Sequence, residues 1–256
     1  MINLKNKVAI ITGGSRGIGR ACVKYFAEAG CDVAFTYNKS KDAAEKLIEE
    51  LGYTNRKITA YKCSFDNDVE AEKQIVVIVK DIANEFGKID ILVNNAGIWE
   101  YGEADNMTLE NWNRTMTINV TGTMLFTREV IPHMKKQNGG KIIIITSTAG
   151  QRGEAFHSHY AASKGALISY VKSLSTELAP YKILVNSVAP GWVDTEMCYP
   201  VFNDINYKEQ VRESIPLKKI ATPEDIAGPV LFLASDLANH ITGEILNVNG
   251  GSVLCG

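Results

Sequence analysis

Little in these 256 residues invites a covalent or metal cross-link. The five cysteines, Cys22, Cys31, Cys63, Cys198 and Cys255, are odd in number, widely spaced and form no Cys-x-x-Cys pair. The four histidines fall into no metal-ligand spacing; His157 and His159 merely sit beside a tyrosine. This predicts structural thiols in a reducing, cytoplasmic setting and argues against zinc chemistry. Basic residues are not in excess: 27 Lys and Arg face 29 Asp and Glu. The net charge of −2 gives no case for a nucleic acid or an anionic membrane as partner. No apolar run approaches the ~20 residues a membrane helix needs. The first one, 8–11, is too short for a signal-peptide core. There is no Pro/Ser-rich linker, no repeat and no low-complexity run. What remains is an ordinary globular composition, 45% hydrophobic and 22% charged, read most simply as one domain.

Short β-branched runs alternate with amphipathic stretches. Strands are expected at 8–12, 32–37, 57–62, 89–93, 141–146, 183–188 and 244–248. Helices are expected at 17–29, 41–51, 69–86, 108 to about 134, 158–179 and 223–235. Thr108, with Glu110 close behind, and Thr222, with Pro223 in the first turn, read as N-caps. Such alternation predicts a parallel sheet with helices on both faces. An irregular insertion is expected from 191 to about 216.

Tyr-x-x-x-Lys occurs three times, at Tyr37/Lys41, Tyr53/Lys57 and Tyr160/Lys164. On a helix this spacing stacks a phenol beside an ammonium. A phenol titrates near ~10, and a nearby cation lowers that value, which makes proton exchange with a carbonyl or alcohol oxygen feasible near neutral pH. Only the third pair follows a serine, Ser147, at the end of an apolar run.

The run Thr12-Gly13-Gly14-Ser15-Arg16-Gly17-Ile18-Gly19 lies where the first strand passes into the first helix. Glycines there permit a tight turn and a close ligand, and a helix start favours a pyrophosphate. The spacing is T-G-x-x-x-G-x-G rather than G-x-G-x-x-G.

Taken together, T-G-G-S-R-G-I-G, N-N-A-G at 94–97, Asn119, Ser147, Tyr160 with Lys164, and P-G-W-V-D-T at 190–195 resemble the short-chain dehydrogenase/reductase family. The resemblance covers essentially the whole chain. It is nearest to 3-oxoacyl-acyl-carrier-protein reductases and bacterial sugar or alcohol dehydrogenases. It implies an α/β fold, a Rossmann-type doubly wound seven-stranded parallel sheet in a single domain, 1–256. The dinucleotide-binding part would span about 1–145, the catalytic and substrate part about 146–256. It also implies a nicotinamide dinucleotide and a catalytic tetrad. Tyr160 would be the general acid and Ser147 a hydrogen-bond donor to the carbonyl oxygen. Lys164 would hold the nicotinamide ribose and lower the tyrosine pKa, and Asn119 would hold a water in a proton relay. Cofactor contacts carried over by the resemblance are Gly13, Ser15, Arg16, Gly17, Ile18, Gly19, Asn38, Lys39, Ser64, Phe65, Asn95, Ala96, Gly97, Tyr160, Lys164, Pro190, Gly191, Val193 and Thr195.

An NAD enzyme of this family would carry an acid at the end of the second strand. Tyr37 stands there instead, and Arg16, Asn38, Lys39 and Ser40 could surround a 2′-phosphate, so NADP(H) is expected. The usual adenine-binding Asp after the third strand is replaced by Ser64 and Phe65. Substrate neighbours are sought among Trp99, Tyr101, Gln151, Arg152, Glu154, His157, His159, Trp192 and the 198–206 insertion. Arg152 and Glu154 would suit a polar substrate or pair with each other. Two positions at which acyl-carrier reductases tend to be basic hold Asn138 and Tyr181, with Lys135, Lys136 and Lys172 nearby. The expected partners are a small carbonyl or alcohol substrate, an acyl carrier protein as a candidate, and further copies of the chain. The family pairs the helices that begin at Thr108 and Ser158, which implies a homotetramer. A non-catalytic dinucleotide sensor would show a degenerate tetrad. An extended-branch isomerase would show a longer C-terminus and a different glycine spacing.

Overall fold

Consecutive isoleucines at 142–145 leave no polar face, which is the pattern of a strand covered on both sides. In the computed structural model, which describes residues 2–65 and 68–254, they belong to such a strand. Seven strands form one sheet, all neighbours parallel: β1 (Val8–Ile11), β2 (Asp32–Tyr37), β3 (Ile58–Lys62), β4 (Ile91–Asn94), β5 (Gly140–Ile145), β6 (Ile183–Pro190) and β7 (Ile245–Val248). Their order is β3-β2-β1-β4-β5-β6-β7. Successive residues face opposite sides. Ile143 and Ile145 therefore join an apolar cluster with helices α1 (Gly17–Glu28) and α10 (Pro223–Ala234). Ile142 and Ile144 join a second cluster with α3 (Asp68–Phe86), α5 (Gly122–Lys136) and α7 (Ser158–Leu178). Helix α2 (Lys41–Glu50) packs on the first side through Ala44 and Leu47.

The order reverses at β1, so the sheet opens a crevice at the C-terminal ends of β1 and β4. Parallel strands bring all their C-terminal ends to one edge. The glycine loop after β1, Asn95–Gly97 after β4, Ser147 after β5 and Gly191 after β6 therefore converge although they are far apart in sequence.

Three expectations are corrected. The segment 191–216 is not irregular: it holds α8 (Tyr199–Phe202) and α9 (Ile205–Ser214). Cys198, Phe202, Val211 and Ile215 give it a small apolar core against Trp192. The helix expected from 108 begins as α4 (Leu109–Met116) and passes into α5 through a π-helical turn, Thr117–Thr121, that carries Asn119. Thr108 does cap α4, but its hydroxyl accepts the Asn111 N–H and Glu110 takes no part. Thr222 and Asp225 form a full capping box on α10.

Helix α6 (Ala149–Arg152) lies so close on α7 that a Cβ on Gly150 would come 2.6 Å from the Lys164 carbonyl carbon. Gly165 faces Gly150 across this contact, with room for a Cβ only 3.4 Å from the Gly150 carbonyl oxygen. Gly150→Ala should therefore push α6 from α7 at Lys164 and cost about 1–3 kcal/mol. Urea unfolding midpoints measure this; an unchanged midpoint would refute the packing argument.

Candidate active site

Of the three Tyr-x-x-x-Lys pairs, one lies on a helix. Tyr37 ends β2 while Lys41 begins α2, and Tyr53 sits in a short 3-10 turn where its hydroxyl donates to Glu28. Tyr160 and Lys164 share the first two turns of α7, with the ammonium 5.7 Å from the phenol ring centre. Lys164 is 4% exposed, and its Nζ donates to the Ile145 carbonyl at the end of β5 at 2.8 Å. No second acceptor meets that ammonium among the described residues. Burial pulls Lys164 down from 10.5 to about 8.

Tyr160 does not have the lowered value expected of it. In the protein alone, burial pushes its phenol well above the ordinary range. A hydrogen bond with the Ser147 hydroxyl pulls the other way, and the Glu154 carboxylate adds to the rise. Ser147 also accepts the Ala149 N–H at 3.1 Å, which fixes its hydroxyl at the start of α6.

Asn119 is fully buried, and its side chain is spent on the protein. Its Oδ1 accepts the Ile98 N–H at 2.8 Å. Its Nδ2 donates to the Ile98 carbonyl at 3.1 Å and to Ser163 Oγ at 3.0 Å. Ser163 in turn donates to the Tyr160 carbonyl at 2.7 Å. Both amide N–H groups being used, Asn119 ties the loop after β4 to the first turn of α7. Gly97 makes room: a Cβ there would stand 3.2 Å from Asn119 Oδ1 and 3.6 Å from Lys164 Nζ.

The glycine loop is held by two threonine hydroxyls. Thr12 Oγ1 accepts the N–H groups of Asn95 and Ala96 at 2.9 and 3.0 Å, and Thr36 Oγ1 accepts that of Gly13 at 3.1 Å. Thr12 opens the glycine motif and Thr36 belongs to no motif; both meet their partners only across adjacent strands. Gly13 and Gly17 have φ of +66° and +52°, where glycine is favoured. Gly19 lies under the loop, since its Cβ would come 2.2 Å from the Gly13 carbonyl oxygen. Helix α1 has an extended N-cap, Arg16, and no side-chain cap, so its first N–H groups are open to an anion.

A cavity of about 440 Å³ runs along this edge. All the expected cofactor contacts line it except Gly19 and Ser64. Asn119 stands behind it. Near the expected adenine position, Cys63 and Phe65 line the wall, while Ser64 N–H donates to Gln74. At the end of β2 the cavity meets Tyr37, Asn38, Lys39 and Ser40, with Arg16 opposite. Arg16 and Lys39 are exposed and make no ion pair among the described residues, and no carboxylate stands at Tyr37. This donor set fits a dinucleotide: open helix N–H groups for its pyrophosphate and two free cations beside its adenosine ribose.

Beyond Tyr160 the cavity is walled by Trp99, Arg152, Glu154, Trp192, Met197 and Cys198. Trp99 stacks on His157 at 4.2 Å and meets Trp192 edge-on at 5.8 Å. Trp99 Nε1 donates to Glu154 Oε1 at 3.2 Å. Arg152 and Glu154 form no ion pair, and burial raises the Glu154 carboxyl. Several expected neighbours stand off the cavity: His157 backs Trp99, and of 198–206 only Cys198 lines the wall. Tyr101 is 61% exposed and stacks on Phe156. Gln151 donates to Asn247 on β7. His159 is buried beside Gly102. Among the described residues, no group of three or more His, Cys, Asp or Glu side chains is arranged to hold a metal ion.

A family model described as enoyl-(acyl carrier protein) reductase matches residues 13–252. The chain is 39% identical to the 3-oxoacyl-acyl-carrier-protein reductase FabG of Aquifex aeolicus over 98% of both chains. It is 38% identical to that of Staphylococcus epidermidis over 96% of this chain and 98% of the relative. Among solved structures, one from Beutenbergia cavernae superposes with a TM-score of 0.91 at 30% identity, covering 98% of each chain. It is provisionally described as an NAD(P)-dependent gluconate 5-dehydrogenase and carries NADP at low occupancy.

The buried ammonium has a consequence for stability. Below about pH 8 Lys164 is charged in both states, and the folded chain bears the full cost of burying it. Between there and 10.5 the folded chain releases the proton first, so the cost falls as pH rises. Lys164→Met should thus exceed the native chain in stability at pH 7 by about 2–3 kcal/mol, with the margin shrinking towards pH 10. Paired urea titrations measure it. A margin that ignores pH would contradict the argument.

Proposed function

This chain belongs to the short-chain dehydrogenase/reductase family, and on that footing we propose that it reduces a ketone to a secondary alcohol with NADPH, using Tyr160 as general acid. The observation that carries the proposal is the phenol of Tyr160 and the buried ammonium of Lys164 on one helix face, at the wall of a cavity that continues to the glycine loop. A module that only binds a dinucleotide has no need to bury an ammonium with a single protein acceptor.

Bound NADPH supplies a hydride to the carbonyl carbon. Negative charge then gathers on the carbonyl oxygen. The Tyr160 hydroxyl gives its proton to that oxygen, and the Ser147 hydroxyl donates a hydrogen bond to it. Burial keeps the phenol protonated beforehand, which is the form reduction requires. The Lys164 ammonium then stabilises the phenolate and has donors left for the nicotinamide ribose. Asn119 acts by position, fixing Ile98 and the first turn of α7. The open N–H groups of α1, with Gly13 and Ser15 to Ile18, hold the pyrophosphate. Arg16, Asn38 and Lys39 hold the 2′-phosphate. Asn95 to Gly97, Pro190, Gly191, Val193 and Thr195 line the nicotinamide half.

The relatives' names make a 3-oxoacyl thioester the first substrate to try, with an acyl carrier protein as its bearer. Lys135, stacked over Tyr181 at 4.1 Å, and Lys136 offer that acidic carrier a basic surface. A second reading, a sugar, steroid or other alcohol as substrate, is favoured by the Glu154 carboxylate inside the pocket. Assembly through α4, α5 and α7 into a homotetramer is part of the same proposal.

Tyr160→Phe should lower kcat about 10²–10⁴-fold while NADPH still binds. Stopped-flow or steady-state NADPH oxidation with an acetoacetyl thioester and a ketone panel reads this; a variant retaining near-native kcat removes Tyr160 from the mechanism. Arg16→Ala should raise KM for NADPH about tenfold and leave KM for NADH nearly unmoved. Equal kcat/KM with both cofactors in the native chain would overturn the preference for NADP(H).

A further inference from the structure

The wall beyond Tyr160 carries a group that the proton transfer does not use. Glu154 is only 19% exposed at its side chain and lines the cavity. One of its oxygens is engaged by Trp99 Nε1 at 3.2 Å, with His157 Nδ1 3.9 Å away. The other oxygen has no partner among the described residues. Around it stand the indoles of Trp99 and Trp192, nearly perpendicular at 85°, with Met197, Cys198 and one cation, Arg152, whose charge favours the carboxylate without forming an ion pair with it. The Trp99 ring is itself braced by the parallel His157 ring, at 4.2 Å and 4°. The carboxylate is thus braced between two indoles, on the wall that also carries Tyr160 and Arg152.

A carboxylate in such a place discriminates by what it accepts. An occupant that offers it no donor leaves the second oxygen of a desolvated carboxylate unpaired, which is costly. A hydroxyl donates to it, and charge-assisted bonds of that kind are among the stronger ones. An anionic group is repelled. Two flat, fixed indoles set at right angles match the faces and edges of a ring better than a flexible chain.

We propose that Glu154, Trp99 and Trp192 form a specificity subsite for an uncharged, ring-bearing hydroxyketone whose hydroxyl donates to the unpartnered Glu154 oxygen. The inference rests on the carbonyl-reductase reading and narrows its substrate towards cyclic alcohols and away from linear 3-oxoacyl chains. Glu154 is a specificity-determining residue here and not a proton donor in the reaction.

The test compares kcat/KM for NADPH oxidation with the three hydroxycyclohexanone isomers, with cyclohexanone and with the linear thioester S-acetoacetyl-N-acetylcysteamine. At least one isomer should exceed both cyclohexanone and the thioester by tens-fold, since sites built to bind a hydroxyl reject analogues lacking it. Glu154→Leu should bring the hydroxyketone-to-cyclohexanone ratio to within about threefold of unity. Glu154→Gln keeps an acceptor oxygen and should hold the ratio above about fivefold. NADPH binding certifies that each variant is folded. The subsite is overturned if the native chain treats hydroxyketones and cyclohexanone alike, if it prefers the thioester, or if the Leu variant keeps the native ratio. If no ketone is reduced, the reductase reading itself fails. The subsite is then judged by tryptophan quenching with cyclohexanediols in the presence of NADP⁺, which Glu154→Leu should weaken at least tenfold; undiminished quenching overturns it.

Discussion

A single hydrogen bond, from the Lys164 ammonium to the Ile145 carbonyl, joins the helix that carries the tyrosine to the strand that ends near the serine. Burying an ammonium with one protein acceptor is unfavourable, so everything packed around it must hold the geometry rigidly. Gly150 lets α6 settle on the backbone of Lys164. Gly97 lets the loop after β4 pass beside its Nζ, and Asn119 clamps that loop. These glycines and the asparagine serve one constraint: space for a charged group where the backbone is closest.

The glycine loop and the Tyr160 wall meet at one edge for a topological reason. A doubly wound parallel sheet delivers every strand's C-terminal end to the same side, and the order reverses beside β1. Two hydroxyls stabilise that edge from within, Thr12 to the backbone after β4 and Thr36 to the glycine loop. They satisfy N–H groups that the turns would otherwise leave bare. The loop is thereby preformed, with the N-terminal N–H groups of α1 open towards the cavity.

The two halves of the cavity differ in character. The half along α1 and β2 is polar and carries the exposed cations Arg16 and Lys39. The half beyond Tyr160 is braced by stacked and edge-on rings with one carboxylate among them. The segment 191–216 supplies part of that wall because it has its own small core, which fastens Trp192 against Phe202 and Tyr207.

Much of this was legible in the chain itself. Strand and helix periodicity gave every β-strand to within about two residues, because hydrophobic burial on a parallel sheet is a local pattern. The glycine loop and the Tyr160/Lys164 spacing were legible because backbone freedom and helix geometry are local as well. Less local features were not. Nothing in the neighbourhood of Thr12 or Thr36 reveals a bond to another strand. The π-turn around Asn119, the order within 191–216 and the withdrawal of Tyr101, Gln151 and His159 from the cavity all follow from packing partners distant in sequence. Protonation belongs to this second group: beside a lysine, Tyr160 was expected to titrate low, yet burial of both groups moves the phenol up and the ammonium down. The sequence by itself determined the sheet, the glycine loop and the placing of Tyr160 one helical turn from Lys164. The tertiary structure decided how deeply they are buried, what satisfies them and which residues line the cavity, because desolvation and long-range contacts exist only once the chain has closed on itself.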